Sequence, residues 1–234
     1  MSTYDWPTYL RPNREIEWRL ISASRSGGVA TNGSEQITGS PGGVWVGKGS
    51  FVLNMQKYGR EWRLLSQRLS SRVNAAWLSF DDPLFCGANA LSFTSAVDNS
   101  GSVAFSDGAF FSDGTGFAGI EGGIAVSAAV TKSTAYIDIV HANDLPATLP
   151  GYFISIDNWL YMIDSNVRLT ATTHQLKLIP PLRSDITTSS VINTNPKVLV
   201  RFSSEDTGRA PITPKIHTIV NVEIQELINR NGIS

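Results

Sequence analysis

The side chains able to do chemistry are few and scattered. His141, His174 and His217 lie in unrelated contexts, and no two share a metal-ligand spacing such as two His four apart on a helix. The single cysteine, Cys86, excludes an intramolecular disulfide and any multi-cysteine metal site. Nothing local activates it, and it reads as a small buried apolar residue. No serine sits in a Gly-x-Ser-x-Gly elbow. Asp107 and Asp113 belong to a near-repeat, Phe105-Ser-Asp-Gly and Phe111-Ser-Asp-Gly-Thr-Gly-Phe117. Both are oxygen donors in Gly-rich loops, but neither has the alternating Asp/Asn ligands and distal Glu of a calcium loop. Paired carboxylates also serve glycosidases. Asp-Gly turns pinned to a core by Phe105, Phe110, Phe111 and Phe117 account for them more simply. The expectation is no catalytic residue, no metal, no cofactor and no enzyme.

Two sets of residues point to binding instead. From Tyr58 to Arg72, apolar Tyr58, Trp62, Leu65 and Leu69 form one stripe of a helix. Arg60, Arg63, Arg68 and Arg72 fall largely on the other faces, opposed only by Glu61. A phosphate-binding surface needs many uncompensated cations, and the chain as a whole carries a net charge of −1. Arginine is favoured at protein interfaces, where its planar fork pairs with carboxylates. The four arginines are therefore the candidate subunit interface. The second set is the tryptophans. Trp6, Trp18, Trp45, Trp62 and Trp77 stand at strand or helix core phases, so packing explains them. Trp159, beside a hairpin turn, is the candidate ligand platform for sugar stacking.

These residues need elements to hold them. The 234 residues suffice for one large domain or two small ones, and 41% apolar content is globular. No window approaches a membrane span. The N-terminal stretch lacks the apolar core of a signal peptide, so the chain is expected to stay on the cytosolic side of synthesis. Charge is unevenly spread. Residues 1–80 carry ten Lys/Arg against five Asp/Glu, residues 81–170 two against ten, and residues 171–234 seven against five. The net values are +5, −8 and +2. Charge drifts along any chain, but one domain made from both ends with an acidic insertion is the simplest account. The expected organisation is a first part of a β-sandwich at 1–80, an inserted small β-barrel at 81–183, and the second part of the sandwich at 184–234.

The stretch Val44–Phe80 reads as strand, helix, strand, and a lone helix needs a sheet to cover. Arg14–Ser22 alternates Ile16, Trp18 and Leu20 against Glu15, Glu17 and Arg19, as a half-buried strand does. Ser24–Gly43 is Gly/Ser/Thr-rich, with an Asn32-Gly33 turn signal. Glu35–Thr38 is a candidate short strand, and the stretch as a whole is expected as a long polar loop, disordered in a monomer or laid as a strand-arm on a neighbour in an oligomer. Ala135–Val140, Tyr152–Ile156, Trp159–Ile163 and Gln175–Ile179 are short strands, with Asp157-Asn158 as a two-residue hairpin. Strands so dense without a second helix indicate a small barrel or sandwich. Ile186–Asn195 is polar and β-branched. Lys197–Phe202 and His217–Gln225 are the last strands, followed by a tail, Leu227–Ser234, expected to fray or to form an arm.

The order of these pieces resembles the distal tail (Dit-like) proteins of long-tailed bacteriophages. The pieces are Pro12–Ser26, Gly39–Leu53, the helix ending in QRLSSRVNAAWLSFDDP, the turn motif FSDGAFFSDGTGF, LPGYFISIDNWLYMI, LKLIPPLR, and KVLVRFSSEDTG with VNVEIQEL. The resemblance covers nearly the whole chain. It implies a mainly β fold, a β-sandwich belt with one packed helix, interrupted by a small OB-like barrel. It implies a ring, a hexamer in the family, joining the tail tube to the hub and tip proteins, with DNA only passing through the channel. The partners implied are further copies of the chain, the tail tube protein, the hub or tip proteins and the tape-measure protein. The implied location is the tail tip of the virion, after assembly in the bacterial cytoplasm. Some related tail-tip proteins hold an iron–sulfur cluster through several cysteines, which Cys86 alone cannot do. Two rival readings are another tail-tip role, as a tube-terminating or hub subunit, and a carbohydrate-binding module.

Overall fold

The computed structural model describes residues 2–7, 10, 16–29, 31, 33, 35–70, 72–79, 102–103, 117–118, 124–140, 150–193, 196–210 and 217–230. The chain is mainly β with one helix. In chain order the elements begin with β1 (Thr3–Asp5), β2 (Glu17–Val29), β3 (Glu35–Asn54), α1 (Met55–Ser70) and β4 (Ala75–Ser79). Eight short strands follow: β5 (Ser102–Val103), β6 (Phe117–Ala118), β7 (Ala125–Val126), β8 (Tyr136–Val140), β9 (Phe153–Ile156), β10 (Trp159–Arg168), β11 (Thr173–Ile179) and β12 (Ile192–Asn193). The last two are β13 (Lys197–Phe202) and β14 (His217–Glu226). Two compact units result. The first comprises Met1–Ala90, Asn158–Leu160 and Asn195–Ser234, and the second Leu91–Asp157 and Tyr161–Thr194.

The first unit is built on a six-stranded sheet of order β1-β4-β13-β14-β3-β2. The strands from the C-terminal end of the chain are inside it. β13 pairs antiparallel with β4, and β14 lies between β13 and β3. Alternation decides which face each strand buries. On β14, Val220, Val222 and Ile224 point inward, while His217, Ile219 and Asn221 stay exposed. The inner face also holds Leu53, Leu78, Val198, Val200 and Phe202, all buried, and α1 covers part of it with Trp62, Leu65 and Leu69. Each such side chain contributes about 1.5–3 kcal/mol by leaving water. A smaller apolar cluster of Ala75, Leu199 and Leu227, with Trp77 packed against it, is separate from these residues.

The second unit holds a nearly closed, barrel-like sheet of order β12-β9-β10-β11-β8-β7. An antiparallel bridge between Ala125 and Val191 joins its two ends. Ile137, Ile139, Ile154, Ile156, Ile163, Leu176 and Leu178 fill its interior. The β9–β10 turn is the two-residue hairpin read from Asp157-Asn158, and both residues have positive φ, 48° and 65°. Asx residues tolerate that region better than other L residues. β5 and β6 form a separate two-stranded pair.

Four expectations need correction. The helix starts at Met55 and ends at Ser70, not at Tyr58 and Arg72. Ser24–Gly43 is not a loop in its described part: the short strand expected at Glu35–Thr38 is the start of β3, and β2 and β3 continue their ladder through Ser24–Gly39, Arg25–Thr38 and Ser26–Ile37. Residues 186–193, assigned from sequence to the second part of the sandwich, belong to the second unit. Ile186 bridges Val130, and β12 pairs with β9. The start of the tail is not frayed, because Leu227 is buried and its N–H donates to the Leu199 carbonyl at 2.9 Å.

Candidate interaction face on helix α1

The helix is held at both ends by its own sequence. Asn54 is the N-cap: its side-chain oxygen accepts from the N–H groups of Gln56 and Lys57, both at 3.1 Å. At the other end Arg72 takes a left-handed φ of 56°, and its N–H donates to the Leu69 carbonyl at 3.1 Å. Asn74 donates to the Arg68 carbonyl at 2.9 Å. The buried stripe fixes the helix's rotation. Trp62 lies at its centre, donating its indole N–H to the Gly208 carbonyl at 2.9 Å. Its ring centroid is 5.9 Å from that of Trp6, which in turn meets Phe202 edge-on at 6.4 Å. Gly208 has φ of +79°, and a Cβ there would stand 2.9 Å from Phe202 Cζ. The loop therefore seats on the two rings only with glycine in this place.

With Trp62 turned inward, helical spacing turns Lys57, Arg60, Arg63, Leu64 and Gln67 outward, and all five are exposed. Leu64 is 52% exposed in the middle of the cations. Arg60 and Arg63 make no ion pair among the described residues. A hydrogen bond from the Lys57 ammonium to the Tyr58 side chain, with charge attraction to it, holds Lys57 above its ordinary value. The other two sequence candidates stand apart. Arg68 is exposed but lays its guanidinium 4.8 Å from the Tyr4 ring centre. Arg72 lies beyond the helix, in the turn leading to β4. The four arginines thus divide into an outward pair, one stacked on an aromatic ring, and one in a turn.

Trp159 is not an open platform. Arg230 places its guanidinium 3.4 Å from the centre of the indole and 5.6 Å from that of Trp77. Both terminal nitrogens donate to the Asn158 carbonyl at 3.1 Å, and Nε donates to the Leu227 carbonyl at 3.2 Å. One indole face is occupied by a cation, as cation–π attraction favours. Among the other tryptophans, Trp6, Trp45 and Trp62 are buried, as their core phases indicate.

The remaining chemical candidates stay dispersed. His174 is buried, with Nδ1 2.8 Å from the Asn166 side-chain oxygen, and His217 is exposed at the start of β14. Cys86, Asp107, Asp113 and His141 lie outside the described residues. Among the described residues no three His, Cys, Asp or Glu gather as metal ligands, and no helix is long and apolar enough to cross a membrane. An open groove of about 320 Å³ is lined by Lys48, Ser204, Asp206, Asn221 and Glu223. Its charges are already paired, Lys48 with Glu223 at 3.0 Å and Asp206 with Arg209.

Sequence reasoning missed Lys57 and Leu64. A helical projection centred on Trp62 would have found both, since they flank Arg60 on the opposite side. It had no signal for Arg230 over Trp159, which depends on strands distant in sequence. No protein-family model matches the chain, and no curated protein matches it.

Proposed function

We propose that this chain is a structural subunit of a bacteriophage tail, forming a ring at the distal end that joins the tail tube to the hub or tip proteins around the DNA channel. The observation that carries this reading is the build of the first unit. β13 and β14 enter a sheet begun by β1–β4, one helix covers that sheet, and a second β unit is inserted between the two halves in sequence. This is the arrangement the resemblance to distal tail proteins implies. The paired charges of the groove and the cation over Trp159 favour a structural role over a ligand-binding one. In this reading the chain's partners are its own copies, the tail tube protein and the hub proteins, and it works without a cofactor.

Antibody labelling of intact phage particles tests the assignment. Label confined to the end of the tail distal to the head is the expected result. Particles free of label, with the chain found only in the unassembled pool, would overturn it.

A further inference from the structure

We infer that the outward face of α1, made by Lys57, Arg60, Arg63 and Leu64, is the surface on which an acidic face of a second copy of this chain docks. The inference rests on the ring reading and deepens it by naming one side of the contact.

Three observations carry it. The first is unbalanced charge. Lys57, Arg60 and Arg63 project from one helix face with Glu61 as the nearby acid in sequence, and neither Arg60 nor Arg63 has an ion pair among the described residues. The second is Leu64, half-exposed among those cations. A phosphate-binding surface gains nothing from a leucine there. A protein interface has this anatomy, an apolar centre within a rim of arginine. The third is complementarity within the chain. Residues 1–80 carry +5 and residues 81–170 carry −8; of the described acids in the latter, Asp157 is exposed with its Oδ1 accepting from the Val191 N–H, and Asp164 is exposed and ion-paired with Lys177. Copies of such a chain attract through unlike faces, cationic against acidic. Contacts between unlike faces are heterologous, and heterologous contacts generate rings when the rotation closes. Arginine suits this role because its fork holds a carboxylate in two hydrogen bonds.

Sedimentation of the full chain over a concentration series, at low and high salt, tests the inference with two variants. R60E/R63E should weaken self-association by on the order of 100-fold, and Leu64→Ser by on the order of 10-fold. At a dilution where the wild type is also dissociated, neither should move the melting temperature appreciably, because all three side chains are exposed. The wild-type contact should weaken as salt rises. If both variants assemble like the wild type, the inference falls while the ring reading stands. If the wild-type chain does not assemble, both fall. A third arm uses a DNA duplex as the probe. Wild-type retention of the duplex, lost in R60E/R63E while Leu64→Ser assembles normally, would make the face a phosphate surface and overturn the inference. If R60E/R63E melts early, Leu64→Ser decides alone: unchanged assembly overturns the inference and weakened assembly supports it.

Discussion

Gly208 and Trp62 show how much of the first unit depends on single contacts. The glycine holds φ of +79° and leaves no room for a Cβ against Phe202. Gly208→Ala is therefore expected to cost about 1–3 kcal/mol, from backbone strain and the steric clash together. A urea midpoint lowered with unchanged slope would show it; an unchanged midpoint would mean that the loop relaxes freely. Trp62→Ala is expected to cost about 3–5 kcal/mol by leaving a cavity under the helix and an unpaired Gly208 carbonyl. Trp62→Phe, which keeps much of the volume and loses the hydrogen bond, should fall between that variant and the wild type. At this scale the sequence was informative where a residue's phase decides its fate. Trp6, Trp45 and Trp62 are core because their positions on strand and helix put them there. Trp159 was not legible, because the guanidinium that covers it comes from Arg230, and no local pattern announces a contact between distant segments.

Among the elements, α1 is the one whose existence and orientation follow most directly from its residues. Its stripe of Trp62, Leu65 and Leu69 has helical spacing, and the sheet supplies what the stripe must cover. Its start was misplaced by three residues, since the capping role of Asn54 was not read. Asn54→Ala is expected to lower stability by about 1 kcal/mol, and Asn54→Asp to restore most of it, as thermal melts of the two would reveal. Ser24–Gly43 was only partly legible: the Asn32-Gly33 turn signal and the short strand at Glu35–Thr38 pointed to a hairpin, while the continuation of β2 was not read. Its Gly, Ser and Thr residues show no apolar alternation, so its ladder rests on backbone hydrogen bonds that no side-chain pattern reports. On the barrel-like sheet, Asp164 bonds the Lys177 ammonium at 2.7 Å and raises its pKa above the ordinary lysine value. The pair's contribution is complete below the unfolded lysine pKa and disappears as pH climbs through the folded one. Lys177→Met should thus change melting little at neutral pH, since both partners are partly solvated. It should also remove a part of the alkaline loss of stability seen in the wild type, as a melting profile against pH would show.

For the whole molecule, the charge alternation along the sequence was the feature that revealed its organisation. A basic beginning, an acidic middle and a mildly basic end fit a chain that builds one sheet, leaves it for another β unit, and returns. The boundary at the return was harder to place, because 186–193 is polar and β-branched and fits either unit by composition. Its place in the second unit is set by the Ile186–Val130 bridge and the pairing of β12 with β9. The order of pieces resembling distal tail proteins carries the functional proposal, and under it the cationic face of α1 would let copies meet through unlike surfaces. We propose that this chain works as a closed assembly of itself. Native mass spectrometry of the purified full chain, with electron microscopy of the same sample, tests it most directly. One dominant closed oligomer with a central opening is the expected result; a lone chain at every concentration, or an open filament of indefinite length, would contradict it.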